Sequence, residues 1–580
     1  MRWLAMRGFW GRVGLVGLLA GSACGDDVAD AAGSDATGTE DGPAGDDALP
    51  PGGSTGSGDS GDDADGGEQP PRAGDDWAAE RAQLRRLTGS QYAASLRGLL
   101  DLEAPVDGVP DDLVQSLFAN VGASAITSSP LAIEQYEDIA LAVTEAVFAD
   151  SGWRAEVVGC DPELPSCVDA FVGTFGHRAW RRPLTVGERL RYTALFERLR
   201  ASLDDPWVAA RFVAVGLLTS PNFMHLVELG EPDPAKPGRL RYTSTEMASR
   251  LSYFLWNGPP DAELLERAEA GDLTRGDVVA EQVARMLDDA RATIAVQAFF
   301  TQLLGLAALE VLHKDPAVFP EATPELLAGM SGEVTRLVEH VVVHERGGIA
   351  ELLTSRDTFV TESLADLYDA VHAGRVDGEG FAALRFADDS PRFGYLGTAA
   401  FLAANARVRR TSPTLRGLAV QQRLLCTELP PPPPDVDAEL PEPGQTGEPQ
   451  TMREILSQHA TDPACSGCHG QIDPLGLSLE AFDGLGRHRL DDQGLPLDLS
   501  GDYDGVAFEG LAGLAETVAA APGLHACFVR HSYRYAVGHA ESAGESALLT
   551  ALVEGGETAV LDVWAAVANS PGFRSPGGID

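Results

Sequence analysis

From Trp77 onward apolar residues recur at helical spacing, and three of the stripes start behind the same polar device. Thr88-Gly-Ser-Gln91 precedes Tyr92, Leu96, Leu99 and Leu100. Thr185-Val-Gly-Glu188 precedes Leu190, Tyr192, Leu195 and Leu199, and Thr243-Ser-Thr-Glu246 precedes Met247, Leu251, Phe254 and Leu255. A Thr three residues before Glu or Gln can exchange side-chain hydrogen bonds with the backbone of a first helical turn. No alternating β-branched run competes with these stripes. The expected fold class is mainly α, with several helical modules in series.

Pro and Gly mark the breaks. Residues 231–238 carry three prolines and a closing Gly. Pro430 to Pro434 is an unbroken proline run, followed by Pro441, Pro443 and Pro449, which predicts an extended polyproline II spacer. The expected modules are 77–150, 151–230 with Cys160 and Cys167, a larger one at 239–385, a small α module at 386–490, and a small carboxyl-terminal domain at 491–580.

The first 76 residues follow another logic. Arg2, Arg7 and Arg12 precede an apolar run from Val13 to Ala20, too short to span about 30 Å of hydrocarbon as a helix. Small residues follow, then Cys24, so residues 1–23 read as a secretory signal. The layout resembles a bacterial lipoprotein signal, with Gly21 where a leucine-like residue is usual; that resemblance implies lipidation at Cys24. Behind it, residues 25–76 hold fifteen acidic residues and one Arg, with almost no large apolar side chain. Such a stretch cannot bury enough surface to offset its chain entropy, so 24–76 is expected to be a solvated acidic tether. The expected location is outside the cytoplasm, periplasmic or cell-surface, with a membrane anchor.

The whole chain has 87 acidic against 43 basic residues, a net charge of −44. No basic footprint exists to displace counterions from phosphates, so nucleic acid is excluded as a partner. No nucleophile elbow, phosphate loop or dinucleotide fingerprint is present.

With Cys24 removed or lipidated, six cysteines remain in an oxidising compartment. Cys160 and Cys167 are expected to close a short loop, and Cys426 and Cys527 are expected to pair as the thiols left over. The last two form Cys465-Ser-Gly-Cys468-His469. In c-type haem attachment two such thiols add to the vinyl groups and the adjacent His binds the iron. Haem c is therefore the expected cofactor, with His469 as proximal ligand. Two other readings stand beside it: a Cys465–Cys468 dithiol or disulfide, and a zinc site that also recruits His459. For the sixth iron position the candidates are Met452, His459 and His488, with His525, His531 and His539 further along. His531, in a Tyr-rich helical stretch, reads as structural.

Other clusters carry less chemistry. His340 and His344 lie one helical turn apart without the His-Glu-x-x-His order of a zinc protease. Asp498, Ser500, Asp502, Asp504 and Glu509 have the spacing of a calcium loop, but Tyr503 stands where an EF-hand needs Gly. That stretch reads first as a turn-rich loop and only second as a calcium site. Arg178, Arg181 and Arg182 beside Trp180 are expected to pair with carboxylates across a module interface. Tyr253, Phe254 and Trp256 are expected in the core.

Several segments together resemble the planctomycete-type cytochrome c-like family, exported multidomain proteins of unknown function. They are Ser412-Pro-Thr-Leu-Arg-Gly417, the thiol motif, Ile472 to Gly486, Leu84 to Tyr92, Arg178 to Thr185, Ser220 to Phe223 and Ala248 to Trp256. The resemblance implies that 386–490 is a cytochrome c-like module and that 491–580 is the small domain that follows it. The leading expectation is an exported, lipid-anchored haem protein that passes single electrons to a redox partner the sequence does not name. One alternative is a haem-dependent oxidoreductase acting on a peroxide or a polymer. A cell-surface scaffold without haem is the other.

Overall fold

All three capping boxes form. The side chains of Thr88, Thr185 and Thr243 accept from the backbone N–H of Gln91, Glu188 and Glu246, and those residues return a bond to the cap. A computed structural model describes residues 84–101, 108–125, 128–371, 376–430, 449–459 and 463–576. The segments read as a signal and an acidic tether, with Cys24 between them, and most of the proline run lie outside the described residues. The described chain is mainly α, and its strands are two to four residues long, paired as antiparallel two-stranded ribbons.

The first helices share a core of their own. Gly89–Leu100, Pro130–Ala149, Pro165–Trp180, Val186–Leu203 and Pro206–Leu218 pack around Tyr92, Tyr136, Phe171, Phe196 and Val213. The Cys160–Cys167 disulfide ties the start of Pro165–Trp180 to the chain before it. On Val186–Leu203 the inward stripe is Tyr192, Leu195, Phe196 and Leu199, whereas Leu190 is 65% exposed. The stripe is rotated because the helix rests on Pro206–Leu218, where Tyr192 donates to the Gly216 carbonyl at 3.1 Å.

A second core gathers Phe118 and Val121 with buried residues between Tyr242 and Phe573. Trp564, near the carboxyl end, is fully buried against Phe254 at 4.9 Å and Phe299 at 5.5 Å between ring centroids. Helices from the stretches 239–385, 386–490 and 491–580 therefore bury one another. The two cores meet at Glu228, buried between Arg250 at 2.6 Å and Arg85 at 3.5 Å.

Glu333 is also buried, accepting from Thr358 Oγ1 at 2.7 Å and the Tyr368 hydroxyl at 2.6 Å. Burial pushes its carboxyl up to about 7, against a downward pull from those donors and Arg392. A pKa raised by folding contributes stability that is complete below the unfolded value and lost as pH rises through the folded one. Compared with Glu333→Gln, the wild type is expected to lose about 3 kcal/mol as pH rises from 4.5 past 7. Paired urea unfolding curves across that range check this, and parallel curves would refute it.

The helix Pro463–Leu477 is held by backbone contact with the helix Pro413–Ala419. A Cβ at Gly417 would fall on the Ile472 carbonyl, and one at Gly476 on the Pro413 carbonyl. Glycine at both positions lets the two helices approach as no other residue would. Behind them, buried Arg416 donates to the carbonyls of Leu479, Phe482 and Asp483 and to Glu480. The strands Ser500–Tyr503 and Val506–Glu509 form a hairpin that closes the other side, with Gly501 against the Pro474 carbonyl.

Candidate functional site

Pro463–Leu477 carries Cys465, Cys468 and His469, whose spacing of three and four residues puts them on one helical face. Both thiols are unpaired, Cys465 buried and Cys468 half-buried, while Cys160–Cys167 and Cys426–Cys527 are disulfides. Gly467 and Gly470 lie between and beside them, and a Cβ at either would meet no atom within 4 Å.

His469 is oriented one turn further on. Its Nδ1 lies 2.8 Å from Asp473 Oδ2, and Thr414 donates to Asp473 Oδ1 at 2.8 Å. An ionised carboxylate only accepts, so Nδ1 carries the hydrogen and, in the neutral ring, Nε2 keeps the lone pair a metal needs. Two thiols one turn apart beside an imidazole of fixed tautomer suit thioether attachment and axial ligation of a haem. A zinc tetrahedron would need adjacent Cys468 and His469 to converge on one point, which is a poorer use of this helix. Neither Asp473 nor Thr414 was among the residues singled out from the sequence. The four-residue step from His469 to Asp473 was the available signal.

The candidates for the sixth position are dispersed. Met452 is buried with Leu456 and Leu477. Leu477 is eight residues past His469, about 12 Å along the helix, so Met452 sits at the far end of the helix pair. His459 ends the helix Met452–His459, and its side chain lies outside the described residues. His488 stands edge-on to Phe482 at 5.7 Å, and burial with Arg392 nearby holds its pKa down. His531 is buried with Nε2 3.3 Å from Cys426 Sγ, beside the Cys426–Cys527 disulfide. Burial and three arginines pull it down to about 3, so it is a neutral core histidine.

Two other readings change, at Asp498 to Glu509 and at the arginine trio. Asp498 to Glu509 is not a turn-rich loop but a hairpin, reversed by Asp504 and Gly505 at φ 52° and 78°. Among the described residues, no three of its carboxylates gather around one point. His340 and His344 lie on a π-helical turn, Glu339–His344, whose i to i+5 ladder pairs His340 with Glu345 at 3.3 Å and His344 with Glu339 at 3.6 Å. The two histidines thus each face a glutamate. Among the described residues, only Arg182 of the arginine trio pairs with a carboxylate, Glu188. Arg178 caps the carbonyls of Gly98 and Leu99, and buried Arg181 those of Asn222, Phe223 and His225. Helix ends expose carbonyls that a guanidinium fork can satisfy, and these outcompete carboxylates there. Tyr253, Phe254 and Trp256 are buried.

Four stretches match family models, each described as a protein of unknown function. Residues 85–149 match PSD3 (DUF1587) and 167–228 match PSD5 (DUF1595). Residues 242–370 match PSD4 (DUF1592), and 392–492, which contain the thiol motif, match PSCyt3 (DUF1588). No curated protein and no solved structure matches the chain.

Proposed function

We propose that this chain, four stretches of which match models of domains of unknown function, uses the last of them to hold haem c and transfer single electrons. The observation that carries the reading is the donor set on Pro463–Leu477: two free thiols and a His whose Nδ1 is committed to Asp473. Cys465 and Cys468 would anchor the vinyl groups, and His469 would bind the iron through Nε2. When bound, the haem supplies the one-electron couple. The protein's own part is to hold the ring in one tautomer and to back the helix with Pro413–Ala419 and the hairpin. Export and a lipid at Cys24 belong to the same proposal, placing the haem domain at a membrane surface on an acidic tether. The acidic surface would steer a basic redox partner, with an on-rate that falls as salt rises.

The test is expression in a periplasm with active cytochrome maturation, followed by a denaturing haem stain and a pyridine haemochrome spectrum. Haem that survives denaturation in the wild type and is lost in Cys465→Ala/Cys468→Ala is the expected result. Fractionation of the same cells should find the wild type with membranes and Cys24→Ala released. A wild type without covalent haem sinks the redox reading; a Cys24→Ala protein still on the membrane sinks the anchor.

A further inference from the structure

Asp473 is a buried carboxylate with an unusual set of partners. Among the described residues no Lys or Arg pairs with it; it accepts from Thr414 Oγ1 and from His469 Nδ1, each at 2.8 Å. The neighbouring buried acid, Glu480, by contrast meets Arg416 at 3.2 Å and Arg489 at 2.8 Å. A buried anion without a cation is costly unless positive charge arrives beside it. The helix that places Asp473 is locked to the helix that places Thr414 through Gly417 and Gly476, so the carboxylate has little room to turn away.

We infer that Asp473 is a positioning residue that sets the reduction potential of iron held by His469, and that Thr414 moderates it. The inference rests on the haem reading. A carboxylate acceptor at Nδ1 strengthens the imidazole as a donor at Nε2, as it does in carboxylate–histidine–metal triads. A stronger axial donor stabilises ferric over ferrous iron and so lowers the potential. Thr414 draws on the same carboxylate, which weakens what His469 receives. Removing the charge and removing the hydroxyl should therefore move the potential in opposite directions. A role confined to keeping the helices packed would give no such pair of signs.

The experiment is potentiometric titration of the haem-loaded full chain as wild type, Asp473→Asn and Thr414→Val, with covalent haem content measured on each. Asp473→Asn is expected to favour ferrous iron by tenfold or more, about 59 mV upward for a one-electron couple. Thr414→Val is expected to shift the potential downward by a smaller amount. If both variants load haem and stay at the wild-type potential, or move the same way, the inference is overturned while the haem reading stands. Should Asp473→Asn fail to hold haem, the sign of the Thr414→Val shift decides: downward supports the inference and upward or none refutes it. A wild type with no covalent haem removes the haem reading first and this inference with it.

Discussion

Arg416→Met should destabilise the protein by about 3–5 kcal/mol, as expected when one member of a buried charged network is deleted. The side chain is fully buried and donates five hydrogen bonds, four of them to groups just after the motif helix and one to the Leu402 carbonyl. It holds the carbonyls of Leu479, Phe482 and Asp483, at 3.0, 2.9 and 2.6 Å, in a bend that returns the chain past the motif helix. Burial lowers the guanidinium to about 10, which leaves it charged at neutral pH. Met fills similar volume but donates nothing, so those carbonyls would be left buried and unpaired. Glu480 would keep Arg489 and Thr411, which is why the loss is not larger. Lys should not rescue, because a point charge cannot replace the planar fork. Urea unfolding of wild type, Arg416→Met and Arg416→Lys measures this. A loss under about 1 kcal/mol would mean the bend holds without Arg416.

What the sequence discloses and what it conceals divide along the range of the interaction. The capping boxes at Thr88, Thr185 and Thr243 involve residues three apart, so they could be read directly and all three form. The thiol motif is equally local. Arg416 looks like any helical arginine until its partners, more than sixty residues away, are brought to it. The same holds for Trp564 against Phe254, whose contact makes stretches that look like separate modules share one core. Errors arose where a local pattern had two solutions. The acidic run at 498–509 mimics a calcium loop, yet Asp504-Gly505 is also a hairpin turn, and the packing of Gly501 on Pro474 selects the hairpin.

Loss of the Cys426–Cys527 disulfide should cost about 4–5 kcal/mol. The two cysteines are 101 residues apart, and loop-closure entropy assigns a crosslink of that span about 4.7 kcal/mol. Cys160 and Cys167, seven apart, should contribute only about 2.5 kcal/mol by the same relation. The comparison matters because the long loop contains the entire motif helix, its Asp473, and the hairpin packed on it. Cys426 follows the helix segment that backs the motif, and Cys527 lies on the buried helix Pro522–Val537, so the bond joins the two flanks of the haem-binding region. Urea unfolding of Cys426→Ser/Cys527→Ser and Cys160→Ser/Cys167→Ser, with and without reductant, separates the contributions. The long-loop variant should fall further, and reductant should bring the wild type down by roughly the sum of both losses. If the two pairs cost the same, span does not govern the stabilisation, and the contacts at each bond, such as His531 against Cys426, would have to carry it.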